Sequence, residues 1–426
     1  MGVLVIATVR RTRRLEGVVR LPGDKSISHR ALILAAIADG PSRLRGLSEG
    51  ADVASTAGCL QALGVQVEAA SVLGVGMAGL SPAAGPLDCG NSGTTMRLLA
   101  GLLAAQPFRS ELRGDESLSQ RPMDRVVEPL REMGADAHWP PLRVGGRVPL
   151  QGFEYQMPVA SAQVKSAILI AGLFAEETTT VIEPVATRNH TELMLSSMGV
   201  DVRVDGRRVQ LAKAEKLSPL DIAVPGDLSA ASFWLVAGGL LPGSRLRFPA
   251  VGLNPTRAAF LKLLGASGID IATSQLAVSA GEPVGDLEVA GSPAPRAVEV
   301  SGSRAAALMD ELPALAVAAT QLLGVSRITG AGELRVKECD RIAAMTEGLS
   351  AMGADITALA DGWEIKGPRH LEGARVNSHG DHRVAMALAV AGLLADGDTE
   401  IEDAECVQIS YPGFFDQLES LWSASA

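Results

Sequence analysis

An apolar helical stretch, then a glycine, then a short β-like run recurs along the chain. It reads Cys59–Gly64, Leu130–Gly134, Leu195–Gly199, Leu261–Gly265 and Leu349–Gly353, four of these passing directly into runs such as Val-Gln-Val, Ala-Asp-Ala or Val-Asp-Val. Each glycine suits the left-handed position just past a helix end. The glycines are spaced by 70, 65, 66 and 88 residues. Such a period predicts one supersecondary unit used several times.

A sixth helix is predicted over Phe414–Trp422, with no strand after it. The first apolar run, Val3–Val9, is conversely a strand without a repeat of its own. The pattern therefore predicts that the N-terminal strand completes the last repeat. The chain then starts and finishes in one domain, with the other inserted. The best Pro-Gly breaks for the two crossings are Val19–Gly23 and Val224–Asp227. This gives one domain of residues 1–20 plus 227–426 and an inserted domain of residues 21–226, with three repeats in each.

Composition narrows the function. The 426 residues allow two or three cores, and with only 3% aromatics these rest on Leu, Val, Ala and Met. A net charge of −10 argues against nucleic acid or an anionic membrane as partner. Four scattered cysteines without a CxxC fit a reducing compartment. No apolar run reaches membrane-spanning length, and the start of the chain lacks the charge order of a secretory signal. A cytoplasmic location is expected.

The predicted helix entrances carry the candidate chemistry. Leu21–Arg30 places Lys25, Ser26 and Arg30 at the start of an apolar helix, where free N–H groups and the dipole favour an anion. Asp24 stands where a Walker loop needs Gly. Asp88–Arg97 has the same design, with Gly90, Gly93, Thr94 and Thr95 before a helix predicted over Leu98–Ala105. Arg121-Pro122, Ser161–Ser166, Arg188–Thr191 and Gly226–Ser229 open further helices. In the C-terminal half, Met309–Pro313, Arg335–Arg341 and Ser378–Arg383 put carboxylates and cations at three more. One charged run is usually a solvated face. If these N-termini converge, they build a basic site in an acidic protein. Gly46–Gly50 matches a nucleophile elbow and Gly74–Gly79 a dinucleotide fingerprint, but neither has its supporting context. His379 and His382 lack a third metal ligand.

Taken together, Leu21–Arg30, Gly90–Arg97, Arg121–Met123, Arg335–Arg341, Asp381–Arg383 and Tyr411-Pro412 resemble the enolpyruvyl transferase family in order and spacing. The resemblance covers essentially the whole chain. It implies an α/β fold of two similar domains, each of three βαβαββ-type repeats with the helices partly inside (an inside-out α/β barrel), and an active site in the interdomain cleft. It implies transfer of the enolpyruvyl group of phosphoenolpyruvate to the 5-hydroxyl of shikimate 3-phosphate, with phosphate leaving and no metal or organic cofactor. A monomer acting on these two small molecules is expected.

The resemblance also implies residue roles. Lys25, Asp310, Glu338 and His382 are the catalytic candidates. Lys25, Ser26, Arg30, Ser161, Gln163, Arg188, Asp310 and Lys337 match contacts to shikimate 3-phosphate. Lys25, Gly93, Thr94, Arg121, Gln163, Arg341 and Arg383 match contacts to phosphoenolpyruvate. Two carboxylates suit an addition and elimination that needs a base for the hydroxyl and an acid for the methylene carbon. Arginine forks suit phosphate and carboxylate. Three positions depart from many relatives: Ile409 where a Lys is common, Glu333 where some carry Asn, and Ala162 in place of a Ser. A sister transferase acting on a UDP-amino sugar usually carries Lys-Asn where this chain has Lys25-Ser26. Glyphosate, an inhibitor at the phosphoenolpyruvate site of this family, is expected to act here because Gly93 leaves room.

Overall fold

The computed structural model describes residues 5–146 and 148–423. The first two residues of the expected N-terminal strand, Val3 and Leu4, lie outside the described residues. The chain divides into two compact units. One, here the terminal unit, comprises Met1–Pro22, Gly226–Ala277 and Pro283–Ala426; the other, the inserted unit, comprises Gly23–Pro225 with Val278–Glu282. The five residues Val278–Glu282 were not anticipated. They form the tip of a long hairpin, Asp270–Ser279 with Glu282–Ala290, whose remaining residues belong to the terminal unit.

Each unit holds three repeats, as the fold class required. In the inserted unit the sheets are built on strands Asp39–Arg45, Arg109–Arg113 and Thr179–Ile182. In the terminal unit they are built on Arg245–Gly252, Gly324–Ile328 and Asp398–Glu402. Among the described residues, five sheets have four strands and the last has three, and none of them closes on itself. In every sheet one neighbouring pair is parallel, as a strand–helix–strand connection demands.

Two of these parallel pairs are made across a chain crossing. Glu16–Val18 pairs with Arg245–Arg247 in the terminal unit, although the helix after it lies in the inserted unit. Asp221–Ala223 pairs with Arg43–Arg45 in the inserted unit, although its helix lies in the terminal unit. Each crossing thus leaves its first strand behind to complete the other's repeat. The N-terminal strand Ala7–Arg10 pairs antiparallel with Asp398–Glu402 and supplies the third strand of the last sheet.

The repeats contain two kinds of helix. The inner ones are Lys25–Ala36, Gly93–Ala104, Ala162–Gly172, Leu228–Leu240, Leu312–Gln321 and His382–Leu394. They are almost wholly buried and, past the polar residues near their N-terminal ends, largely apolar on every face, so each unit is filled by helix and clad in sheet. The outer helices, such as Ala51–Ala62 and Arg341–Ala351, bury one face. The repeat glycines Gly64, Gly134, Gly199 and Gly353 follow outer helices at φ of 91°, 92°, 91° and 86°. The fourth expectation needs correction: Gly265 lies inside the helix Ala259–Ser267, and Gly268, at φ 101°, ends it. Leu264 is fully buried, so the last turn is worth keeping, and the next glycine takes the left-handed position.

Candidate active site

Lys25, Ser26, Gly93, Thr94, Ser161, Gln163, Asp310, His382 and Arg383 lie at or just before the N-terminal ends of inner helices, whereas Arg121, Arg188 and Lys337–Arg341 lie before or at the starts of other helices. Five of the inner-helix ends are closed by a side-chain cap: Asp24, Ser92, Ser161, Asp227 and Asp381 accept from backbone N–H groups of the first turn. The second inner helix starts at Gly93 rather than at Leu98, because Ser92 Oγ accepts from Thr95 N at 3.1 Å. Gly93, Thr94 and Arg97 therefore sit on its first turn and a half. The last inner helix likewise begins at His382, so His382 and Arg383 are its first two residues.

In the inserted unit, Lys25 Nζ donates to Asp52 Oδ2 at 2.8 Å. Asp52 is mostly buried on the first turn of Ala51–Ala62. Its backbone oxygen also accepts from Thr95 Oγ1 at 3.2 Å, which ties the lysine's partner to the second inner helix. Arg30 is buried; its Nε donates to Thr191 Oγ1 at 2.8 Å and its Nη2 to Ser166 Oγ at 2.7 Å. Its Nη1 donates to the Ser26 carbonyl at 2.8 Å, while Arg188 Nη1 reaches Ser26 Oγ at 3.3 Å. Burial lowers Arg30 to about 10; Glu192 opposes this, and the neighbouring charge of Arg188 adds to it. Two like charges are thus held close, a disposition that gains from an added anion.

A second group in this unit surrounds Gly93. A Cβ placed on Gly93 would stand 3.0 Å from Arg97 Nη1 and 3.6 Å from Arg121 Nη1. Arg121 Nη2 donates to Asn91 Oδ1 at 2.6 Å and to Ser117 Oγ at 3.2 Å, so the Gly90–Gly93 loop aims it. Gln163 bridges two neighbours: its Nε2 donates to Thr94 Oγ1 at 2.8 Å and its Oε1 accepts from Arg97 Nη1 at 2.5 Å. Ser161 caps its helix through Val164 N at 3.4 Å.

In the terminal unit, Arg341 is the organising residue. Its Nε donates to Asp381 Oδ2 at 2.7 Å and its Nη2 to Glu338 Oε2 at 2.5 Å. Its Nη1 is buried without a hydrogen-bond acceptor among the described residues, 4.0 Å from Asp310 Oδ1. Burial works against this guanidinium's charge, but Asp381, Glu338 and Asp310 outweigh it and hold it above its usual range. Arg383 Nη1 donates to the Asp310 carbonyl at 2.7 Å, and its Nη2 lies 3.7 Å from Asp310 Oδ2. Asp381 is fully buried, and its Oδ1 accepts from Arg383 N at 2.8 Å. One carboxylate thus fixes both the helix that carries Arg383 and the side chain of Arg341. Desolvation lowers Lys337, with Asp310 opposing. His382 is buried, whereas His379 is exposed and its Nε2 lies 3.2 Å from Glu347 Oε2.

The residues fall in two sets. Lys25, Ser26, Arg30, Gly93, Thr94, Arg121, Ser161, Gln163 and Arg188 belong to the inserted unit; Asp310, Lys337, Glu338, Arg341, His382 and Arg383 belong to the terminal unit. Sequence reading assigned no role to Asp52, Arg97, Ser166 or Thr191. Arg97 was findable, since it is four residues after Gly93 on one helix and so shares its face. Asp52 was not, because an acidic residue in a first helical turn ordinarily complements the dipole. Ile409 packs against the terminal core and provides no cation. Ser48 of the elbow-like pattern is buried, and its Oγ accepts from Gly50 N at 3.4 Å. Among the described residues no group of three His, Cys, Asp or Glu could hold a metal ion, and no helix is long and apolar enough to cross a membrane.

Known proteins share both the sequence and the fold. The family model for EPSP synthase (3-phosphoshikimate 1-carboxyvinyltransferase) matches residues 9–418. A 3-phosphoshikimate 1-carboxyvinyltransferase of Syntrophomonas wolfei is 48% identical over 420 residues, covering 96% of this chain and 98% of that protein. That of Gloeobacter violaceus is 49% identical over 419 residues, covering 95% and 96%. The solved EPSP synthase of Acinetobacter baumannii superposes with a TM-score of 0.89 at 39% identity, covering 99% of this chain and 98% of that one.

Proposed function

The chain belongs to the EPSP synthase family and transfers the enolpyruvyl group of phosphoenolpyruvate to shikimate 3-phosphate; on that premise we propose how its own residues divide the work at the 5-hydroxyl. Asp310 takes the 5-hydroxyl proton as the oxygen adds to the central carbon of phosphoenolpyruvate. Glu338 gives a proton to the methylene carbon, which becomes a methyl group. In the second step Glu338 takes a proton back from that methyl, the double bond re-forms and the C–O bond to phosphate breaks. Lys25 steadies the tetrahedral intermediate, and His382 meets the leaving phosphate.

Arg121, Arg341 and Arg383, with Gly93, Thr94 and Gln163, hold the phosphate and carboxylate of phosphoenolpyruvate. Ser26, Arg30, Ser161, Arg188 and Lys337, with Lys25, Gln163 and Asp310, hold shikimate 3-phosphate. Both sets of residues serve this one reaction. The observation that carries the reading is the buried guanidinium of Arg341. It contacts Glu338 and nears Asp310 while keeping one buried amino group without a hydrogen-bond acceptor among the described residues. Such a donor favours an incoming anion, and the two carboxylates beside it add proton transfer to anion binding.

The protein is read as a monomer working in the cytoplasm. Its four free cysteines support a reducing compartment. The purified protein given both substrates is expected to release inorganic phosphate, and either substrate alone to release none. A UDP-amino sugar offered in place of shikimate 3-phosphate is expected to leave phosphoenolpyruvate intact. Release with the sugar and not with shikimate 3-phosphate would overturn the assignment of the acceptor.

A further inference from the structure

Arg188 lies in the segment Glu183–Asn189, which has neither helix nor strand geometry. Neither a sheet ladder nor a helix therefore fixes its guanidinium beside Ser26. Arg30 faces the same serine, and the like charges of the two arginines repel.

A buried ionic tie acts against this. Glu183 Oε1 accepts from Thr187 N at 3.1 Å and from the Thr187 hydroxyl, so the segment closes on its own first residue. Glu183 Oε2 accepts from Lys165 Nζ at 3.0 Å, and Lys165 Nζ also lies 2.7 Å from Glu192 Oε1. Lys165, Glu183 and Glu192 are 1%, 3% and 3% exposed. The next residue on one helix and the preceding residue on the other, Ser166 and Thr191, are the two that hold Arg30. One pair of helices thus positions one arginine directly and the other through the segment.

Burying a lysine with two glutamates costs desolvation that apolar side chains of similar size would avoid. What the ionic arrangement supplies is geometry. We propose that the Lys165–Glu183–Thr187 tie is a positioning device for Arg188, holding its guanidinium beside Ser26 and Arg30 so that the phosphate group of the acceptor meets two cations already in place. This rests on the reading of Arg188 as a contact to that phosphate. Preordering the segment lowers the cost of binding without adding a contact.

The test is steady-state kinetics with each substrate varied, on the wild type, Thr187→Val, Thr187→Ser, Arg188→Ala and the double variant Thr187→Val/Arg188→Ala. Thr187 is chosen because changing it leaves every buried charge paired, whereas Glu183→Ala strands Lys165. Loss of one hydrogen bond predicts that Thr187→Val raises KM for shikimate 3-phosphate roughly fivefold. KM for phosphoenolpyruvate and kcat should stay unchanged, and Thr187→Ser should restore the wild-type KM. Arg188→Ala should raise the same KM by more, and the double variant should match Arg188→Ala alone. If Arg188→Ala raises KM but Thr187→Val does not, or if the two effects multiply, the positioning role is overturned. If Arg188→Ala leaves KM for shikimate 3-phosphate unchanged, the underlying assignment of Arg188 falls, and the tie's proposed purpose with it.

Discussion

Arg341 Nη2 donates to Glu338 Oε2 at 2.5 Å, joining a proposed substrate-binding cation to a proposed proton donor. The remaining bonds of this guanidinium explain why a lysine cannot replace it. Its Nε is committed to the fully buried Asp381, and its Nη1 has no hydrogen-bond acceptor among the described residues, which suits it to the proposed anion. An ammonium is a single point charge and cannot serve three directions set by a planar fork. Arg341→Lys is expected to cut kcat/KM for phosphoenolpyruvate by at least ~100-fold, the loss of about 2.7 kcal/mol. It should also lower the thermal midpoint, because Asp381 loses a buried partner. Kinetics and a melting curve on the same preparation check both.

Gly93 gives a second expectation. It lies in regular helix, so alanine is acceptable to the backbone there and helps helix formation. The cost falls on the neighbours, since the new methyl would stand 3.0 Å from Arg97 Nη1 and 3.6 Å from Arg121 Nη1. Gly93→Ala should therefore fold normally, raise KM for phosphoenolpyruvate roughly tenfold (about 1.4 kcal/mol) and leave KM for shikimate 3-phosphate unchanged. Inhibition by glyphosate, expected to compete with phosphoenolpyruvate in the wild type, should weaken with the same substitution. A normal KM for phosphoenolpyruvate would place that substrate elsewhere.

His29 supplies a pH dependence. The ring is fully buried, with Nδ1 2.7 Å from Thr56 Oγ1. Burial, aided by the charges of Lys25 and Arg30, holds its pKa well below 6.5. The unfolded chain takes a proton near pH 6.5, while the folded chain does not. Stability is therefore full above that pH and falls as the pH drops below it, until the folded protein also protonates. One proton sets a limiting slope of about 1.4 kcal/mol per pH unit. Denaturant unfolding between pH 7 and 5 should show a smaller acid loss for His29→Gln than for the wild type. Equal losses would assign the acid sensitivity to other groups.

What could be read in the sequence was whatever depends on neighbours along the chain. Helix entrances, their cations and most of the left-handed glycines obey local rules, and the Leu21–Arg30 entrance falls where those rules put it. Gly265 failed because glycine marks a helix end only when no later one is available, and burial of Leu264 favoured the longer helix with its stop at Gly268. The exchange of first strands at the two crossings left no trace, since Glu16–Val18 and Asp221–Ala223 are three residues each and are paired by the tertiary fold. Asp52 and the Glu183–Thr187 tie were equally silent. A lysine finds a carboxylate 27 residues away only once two helices have packed. The family's motifs brought forward the residues proposed to touch substrate, not those that hold them.

The central claim is that two carboxylates beside a buried cation move protons during addition and elimination, and deuterium uptake tests it most directly. In deuterated water with both substrates, the methylene carbon becomes a methyl bearing one solvent deuterium, and elimination removes any of its three hydrogens. The account predicts deuterium in the methylene of the enolpyruvyl product of the wild-type protein. It also predicts that Glu338→Gln lowers product formation by roughly 100- to 10,000-fold. Product free of deuterium from the wild type, or a wild-type rate from Glu338→Gln, would contradict it.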